Sequence, residues 1–228
     1  MAKLKVKDSA EVIEVKNVFC IGKNYADHIS EVKIEGLDNS IPKEPVVFLK
    51  PSTAIEAAGN IVKVPLLNAK PISQNLQNEV ELVIIIGKDG DNIPEDNALE
   101  YVYGYAVGID FTLRDLQTEM KKQGKPWAVA KGFRTSSPVG EVVPASVLNN
   151  AQALDIKLSI NGEVKQSGNT SEIIFSIKFI IHYLSSIFGL RKGDLIFTGT
   201  PAGITKLETG DKVSAEIQHI GKLEVTIG

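Results

Sequence analysis

The stretch NEVELVIIIG, residues 78–87, constrains the fold more than any other part of this 228-residue chain. Successive side chains of a strand point to opposite faces, so an unbroken apolar run from Leu82 to Ile86 buries both faces at once. Such a strand lies inside a sheet covered on each side, and a chain of this length can supply the cover. Two glutamates stand at its entrance. Glu79 and Glu81 share one face, about 7 Å apart along the backbone. They read either as solvated residues at an exposed strand start or as buried carboxylates, which repel one another unless a cation neutralises them.

Further strands are expected around that one, each bounded by Gly, Pro or Asn: VFCIG (18–22), PVVFLK (45–50), NIVKV (60–64) and VYGYAVGID (102–110). LDIKLSING (154–162), DLIFTGT (194–200), DKVSAEIQ (211–218) and KLEVTI (222–227) follow, with Asn161-Gly162 as a two-residue hairpin turn. Helices are fewer: NYADHISEV, PEDNALEYV with acids in its first turn, LRDLQTEMKKQG ending on Gly124, and Ser171–Phe188 capped by Thr170 or Ser171 and stopped by Gly189. The class is a β-rich α+β. Residues 1–15 form a short N-terminal edge element and 16–228 the main domain.

VYGYAVGID ends in Asp110, with Gly104, Ala106 and Gly108 making one face small enough for something to approach the backbone. Glu79, Glu81 and Asp110 together would make an all-oxygen site suited to Mg²⁺, Mn²⁺ or Ca²⁺ rather than zinc. Periodicity does not say that the two strands are neighbours, so the solvated reading stays beside this one. In CIGKNYADHISE, His28 and Glu31 are three apart and can touch on a helix, either as a base with its orienting partner or as an ordinary polar face. Taken singly, Lys131 reads as a solvated lysine near Trp127, and Arg114 with Asp115 as a surface pair of little weight. His182 reads as a packed histidine, His219 as exposed near a turn, and Cys20 as a small core residue.

Bulk properties exclude several classes. A net charge of −3 with scattered Lys and Arg gives no footprint for nucleic acid or an anionic membrane. The longest apolar stretch, 173–188, is interrupted by Lys178, His182 and serines and is too short and polar to span a bilayer. One cysteine allows no internal disulfide, which suits a reducing compartment. The N-terminus has no signal-peptide run, so a cytoplasmic location is expected. TGTPAG lacks the lysine of a phosphate-binding loop.

Six segments in order, IGKNYADHISE, PVVFLKPSTAI, NEVELVIIIGK, GYAVGIDFTLRDLQ, PWAVAKGFRTSSPVG and DLIFTGTPAGI, resemble the fumarylacetoacetate hydrolase family from about Val18 to the C-terminus. Among its members the chain looks most like the short acylpyruvases and oxaloacetate decarboxylases or tautomerases. The resemblance implies a mixed β-sandwich roll, usually dimeric, with Mg²⁺ or Mn²⁺ on Glu79, Glu81 and Asp110. It places the family's histidine–glutamate pair on His28 and Glu31 and its active-site lysine on Lys131. Substrate contacts fall on Arg114, Gln117 and Thr200. Asn78 stands where many relatives carry an aromatic residue or histidine, which leaves the ligand set intact.

The implied substrate is a small 2-oxo acid. Its carboxylate and 2-oxo oxygen would chelate the cation, which stabilises the pyruvate enolate left by C–C cleavage. His28, oriented by Glu31, would activate water for acylpyruvate hydrolysis, whereas oxaloacetate decarboxylation needs only the electron sink. An isomerase or tautomerase of 2-oxo or 2-hydroxy-diene-dioate intermediates is the alternative, and a non-catalytic metal- or ligand-binding relative is a third reading. The short polar segment opening with Gly22-Lys23-Asn24 is expected to act as a lid over bound substrate.

Overall fold

The apolar run becomes the middle of the strand Val80–Ile86, every residue of which is buried. In the computed structural model, which describes residues 2–36, 38–57, 61–148 and 150–228, this strand is central in an eight-stranded mixed sheet. The order is Val46–Lys50, Val18–Gly22, Leu195–Phe197, Val80–Ile86, Val102–Ile109, Ser137–Val139 and Ile55–Ala57, with Val143–Pro144 also pairing to Val102–Ile109. A second sheet of five strands runs Glu163–Asn169, Asp155–Ile160, Lys212–Ile217, Gly221–Ile227 and Ile61–Val62. The turn between Asp155–Ile160 and Glu163–Asn169 is Asn161-Gly162, both with positive φ, as the hairpin signal requires.

Alternation along the central strand divides two cores. Leu82, Ile84 and Ile86 pack in one cluster with Leu158 and Leu223 of the five-stranded sheet and with Ile180 and Leu184 of a helix. Val83 and Ile85 pack on the other face with Phe197 and with Leu4 and Ile13. Those last two belong to the N-terminal hairpin, Lys3–Lys5 paired antiparallel with Val12–Glu14. Residues ahead of the large sheet thus cover one of its faces. Each fully buried Ile or Leu contributes on the order of 2 kcal/mol.

The helices are α1 (Ala26–Glu31), α2 (Arg114–Lys122), α3 (Ala128–Lys131) and α4 (Ile177–Phe188). Three expectations change. The helix expected from Ser171 begins at Ile177, capped by Ser176, whose hydroxyl accepts from the Phe179 N–H. The reason lies upstream: Ile174 and Phe175 donate their N–H groups to the backbone and side chain of Asn24, so the chain there stays extended. Asn169 and Glu172 close a separate 3₁₀ turn at Thr170–Glu172 through a capping box. PEDNALEYV forms a 3₁₀ helix, Glu95–Tyr101. In NIVKV only Ile61–Val62 is strand, and Asn60 lies outside the described residues. Among the described residues no helix is long and apolar enough to cross a membrane.

Candidate active site

Strand pairing brings the three acids together. Val80–Ile86 and Val102–Ile109 are antiparallel with Glu81 opposite Gly108, and one step further Asp110 N–H donates to the Glu79 carbonyl at 2.7 Å. Carboxylate oxygens of Glu79, Glu81 and Asp110 lie within 4.8 Å of one another. Their residues are 4%, 3% and 0% exposed, which overturns the solvated reading of the glutamates. The small-residue face of the neighbouring strand serves a different purpose from the one expected. A Cβ on Gly104 would lie 2.3 Å from the Val143 carbonyl oxygen, and one on Gly108 2.4 Å from Val83. What approaches that face is the protein's own sheet.

Three buried cations surround the acids. Lys131, at the end of α3, donates to Glu79 Oε2 at 2.6 Å and to Asp110 Oδ2 at 2.7 Å. Arg114, the first residue of α2, donates Nη2 to Glu79, Nη1 to Gln117 Oε1 and Nε to Gln77 Oε1. It pairs with Glu79 rather than with Asp115, which instead accepts from Ser73 and from the Gln74 N–H. Lys50 closes the strand Val46–Lys50 and sets its ammonium 2.6 Å from Asp110 Oδ1. The angle there falls short of a hydrogen bond, so this buried oxygen has charge beside it but no aligned donor.

The charges oppose each other unevenly. Burial raises the Glu79 carboxyl, but the Lys131 ammonium and the Arg114 guanidinium outweigh it and hold the group well below the ordinary carboxylate range. Glu81 goes the other way. Burial, then the negative charge of Asp110 and Glu79, pushes it well up against the opposing pull of Lys131 and the Gly199 N–H. Three buried carboxylates in reach of one another, one strained toward protonation and another with an oxygen lacking a donor, fit a hard divalent cation.

His28 and Glu31 meet on α1 as the spacing requires. His28 Nδ1 is 3.5 Å from Glu31 Oε2, and its Nε2 points into the cluster, 3.9 Å from Glu79 Oε1. With Nδ1–H donated to Glu31, the Nε2 lone pair faces the acids. Both oxygens of Glu31 accept from the Gly203 N–H at 3.1 Å. Burial raises the Glu31 carboxyl, yet the His28 and Gly203 hydrogen bonds prevail and lower it. The TGTPAG turn also presents the Gly199 N–H to Glu81 Oε2 at 2.7 Å. Gly199 and Gly203 have φ of +100° and +105°, and a Cβ on Gly203 would sit 1.9 Å from the Lys165 carbonyl oxygen. The turn thus orients two carboxylates through its backbone. Thr200 lines the cavity, its Oγ1 accepting from Gln166 at 2.8 Å and its hydroxyl hydrogen free to donate.

The lid reading fares less well. Asn24 is 1% exposed, donates to the Thr198 carbonyl at 2.7 Å and accepts from Phe175 N–H at 2.8 Å. α1 is formed and His28 already faces Glu79, so the segment needs no ordering step to reach the acids.

Sequence reasoning missed Lys50 and Gln166. Gln166 is fully buried and satisfied: its oxygen accepts from Asn78 and from the Val80 N–H, and its amide donates to Thr200 and Pro201. It ties both site-bearing segments to the five-stranded sheet, and Asn78 is part of that brace. A lysine ending an otherwise apolar strand was a readable signal for Lys50; Gln166 sits in a polar hairpin strand and gave none. His182 is packed, bonded to the Ile93 carbonyl, while His219 is exposed and Cys20 buried, as expected.

The family described as fumarylacetoacetate (FAA) hydrolase C-terminal matches residues 17–228. The chain is 45% identical over 205 residues to the mitochondrial oxaloacetate tautomerase FAHD1 of Mus musculus, covering 90% of this chain and 88% of that protein. Its fold superposes on the fumarylpyruvate hydrolase of Pseudomonas aeruginosa, solved with Mn²⁺ and pyruvate, with a TM-score of 0.91 and 37% identity over 99% of this chain and 95% of that one. It is also similar to the 2-hydroxyhepta-2,4-diene-1,7-dioate isomerase of Mycobacterium marinum, with a TM-score of 0.79 and 33% identity over 96% and 78%.

Proposed function

The chain belongs to the fumarylacetoacetate hydrolase family and is an enzyme of it, and from that membership and the geometry above we propose that it moves a proton at the carbon beside the 2-oxo group of a small 2-oxo acid. Tautomerisation of oxaloacetate is the reading that the relatives favour. One observation carries it: the Nε2 of His28 is aimed at a cluster of three buried carboxylates.

Glu79, Glu81 and Asp110 would hold the divalent cation, Mg²⁺ or Mn²⁺. When bound, the cation supplies Lewis-acid stabilisation for negative charge that develops on the 2-oxo oxygen. His28 Nε2 takes the proton from the carbon beside the 2-oxo group and passes it to the 2-oxo oxygen to give the enol, or carries it from that oxygen to the carbon to give the keto form, while Glu31 holds the ring and stabilises it once charged. Glu31 can do this because the Gly203 N–H and His28 keep it ionised. Lys131, Lys50 and Arg114 balance the acids and keep them from repelling one another. Thr200 donates its hydroxyl to a substrate oxygen, and the free amide N–H of Gln117 does the same from α2.

Hydrolysis of an acylpyruvate is a second reading, supported by the similarity to a fumarylpyruvate hydrolase. There His28 takes a proton from water, the water oxygen bonds to the distal carbonyl carbon, and the bond from that carbon to the pyruvate methylene breaks, releasing a carboxylic acid and a pyruvate enolate that is protonated on carbon. The test is an assay of oxaloacetate and acetylpyruvate with Mg²⁺ or Mn²⁺. Loss of enol absorbance without pyruvate reports tautomerisation; pyruvate release from acetylpyruvate reports hydrolysis, and from oxaloacetate, decarboxylation. His28→Ala should lower the proton-transfer rate roughly 10²- to 10⁴-fold. Full activity in EDTA, or in the His28 variant, would sink the reading.

A further inference from the structure

α2 carries more than the two residues used above. Arg114, Gln117 and Lys121 recur at helical spacing, so one face of α2 presents all three in a row leading away from the acids. Lys121 stands about 10 Å along the axis from Arg114. All three line the same cavity. This cavity, about 50 Å³, shares Lys23, Asn39, Lys121 and Trp127 in its lining with a neighbouring, more open cavity of about 380 Å³. A substrate arm that extends from the acids toward the neighbouring cavity meets Lys121, which lines both.

Among the described residues, Lys121 is the cation in that shared lining with no carboxylate partner. The three buried acids are offset by Lys50, Arg114 and Lys131. Among the described residues no carboxylate pairs with Lys121, which is half-buried with its ammonium 5.0 Å from the centre of the Trp127 ring. Lys23, the second cation there, donates to the Asp38 carbonyl at 2.8 Å and has the Asp38 carboxylate near it. An unpaired, half-buried ammonium costs free energy that an anionic partner would recover.

We infer that Lys121, assisted by Lys23, anchors a carboxylate at the far end of the substrate, so that the site selects acylpyruvates whose acyl arm ends in a carboxylate over those whose arm is neutral. The inference rests on the 2-oxo acid reading above and names the substrate class within it. The electrostatics agree: burial, then the nearby Arg114 and Lys131, lower the Lys121 ammonium to about 8, a cost that a bound carboxylate removes. Oxaloacetate carries its second carboxylate next to the reacting carbon and has no acyl arm to reach Lys121, so it serves as a control.

The experiment compares Lys121→Met and Lys121→Arg with the wild type. In turnover with Mg²⁺, Lys121→Met should raise KM for fumarylpyruvate roughly 10- to 100-fold. Acetylpyruvate and oxaloacetate should stay within about twofold, and Lys121→Arg should retain most of the fumarylpyruvate affinity, since a charge contact of this kind tolerates either cation. Calorimetric binding of 2-oxoadipate and 2-oxohexanoate, equal in length and differing in the terminal carboxylate, measures the same preference without turnover. The wild type should prefer the diacid, and Lys121→Met should erase that preference. Equal wild-type affinity for the pair, or a Lys121→Met variant that loses both ligands alike or neither, overturns the inference. A preference that depends on Lys121 in a protein that turns over no 2-oxo acid would sink the proposed function and leave the anchor standing.

Discussion

At the scale of single residues, the site is a problem in charge placement. Glu79, Glu81 and Asp110 stay together because each has a specific partner: Arg114 and Lys131 on Glu79, the Gly199 N–H on Glu81, Lys131 and Lys50 on Asp110. Among the described residues Lys50 has Asp110 as its charged partner, and it also donates to the Ser136 carbonyl and hydroxyl at 3.4 and 3.3 Å. Lys50→Met is expected to destabilise the fold by about 3–5 kcal/mol, because it leaves a buried carboxylate oxygen without its countercharge. Urea unfolding measures this; a loss below about 1 kcal/mol would mean that Lys131 alone neutralises Asp110. The acids and His28 were legible from residue type and spacing. Lys50 was legible only as a lysine closing an apolar strand; that its side chain turns inward onto Asp110 is written nowhere in VVFLK.

At the scale of elements, the strand pair Val80–Ile86 and Val102–Ile109 does two jobs. Its register puts Asp110 beside Glu79, and its small residues let the sheet close. Gly104 faces the Val143 carbonyl, where an added methyl group has no flexible neighbour to displace. Gly104→Ala should therefore cost about 1–3 kcal/mol by overpacking, read as a lower urea midpoint with an unchanged m-value. An unaltered midpoint would show that the Val143–Pro144 strand yields. Strand positions followed from alternation and from Gly, Pro and Asn punctuation. The start of α4 did not, because it is decided by Asn24, about 150 residues earlier in the chain, which claims the N–H groups that a longer helix would use.

At the scale of the whole molecule, two sheets, α4 and the N-terminal hairpin enclose the central strand, and the acids sit at its end rather than in its middle. A cation that binds the folded chain and not the unfolded one stabilises it by mass action. Mn²⁺ or Mg²⁺ at about 100 times its Kd should add about 2.7 kcal/mol, raising Tm by roughly 5–11 °C in a domain of this size. Asp110→Asn should abolish most of that shift, and EDTA should reverse it in the wild type. A shift that survives Asp110→Asn would place the cation elsewhere. The sequence by itself determined the doubly buried strand, the β-rich class, the hairpin at Asn161-Gly162 and the identities of the candidate acids, all of which depend on local periodicity and residue chemistry. Only the tertiary structure decided that the three acids converge, that Lys50 and Gln166 support them, and that Lys121 lines the site beside Trp127 with no carboxylate partner among the described residues. Those facts depend on which distant strands pair and what closes around them, and a side chain's partner across a sheet leaves no mark on its own neighbours in the chain.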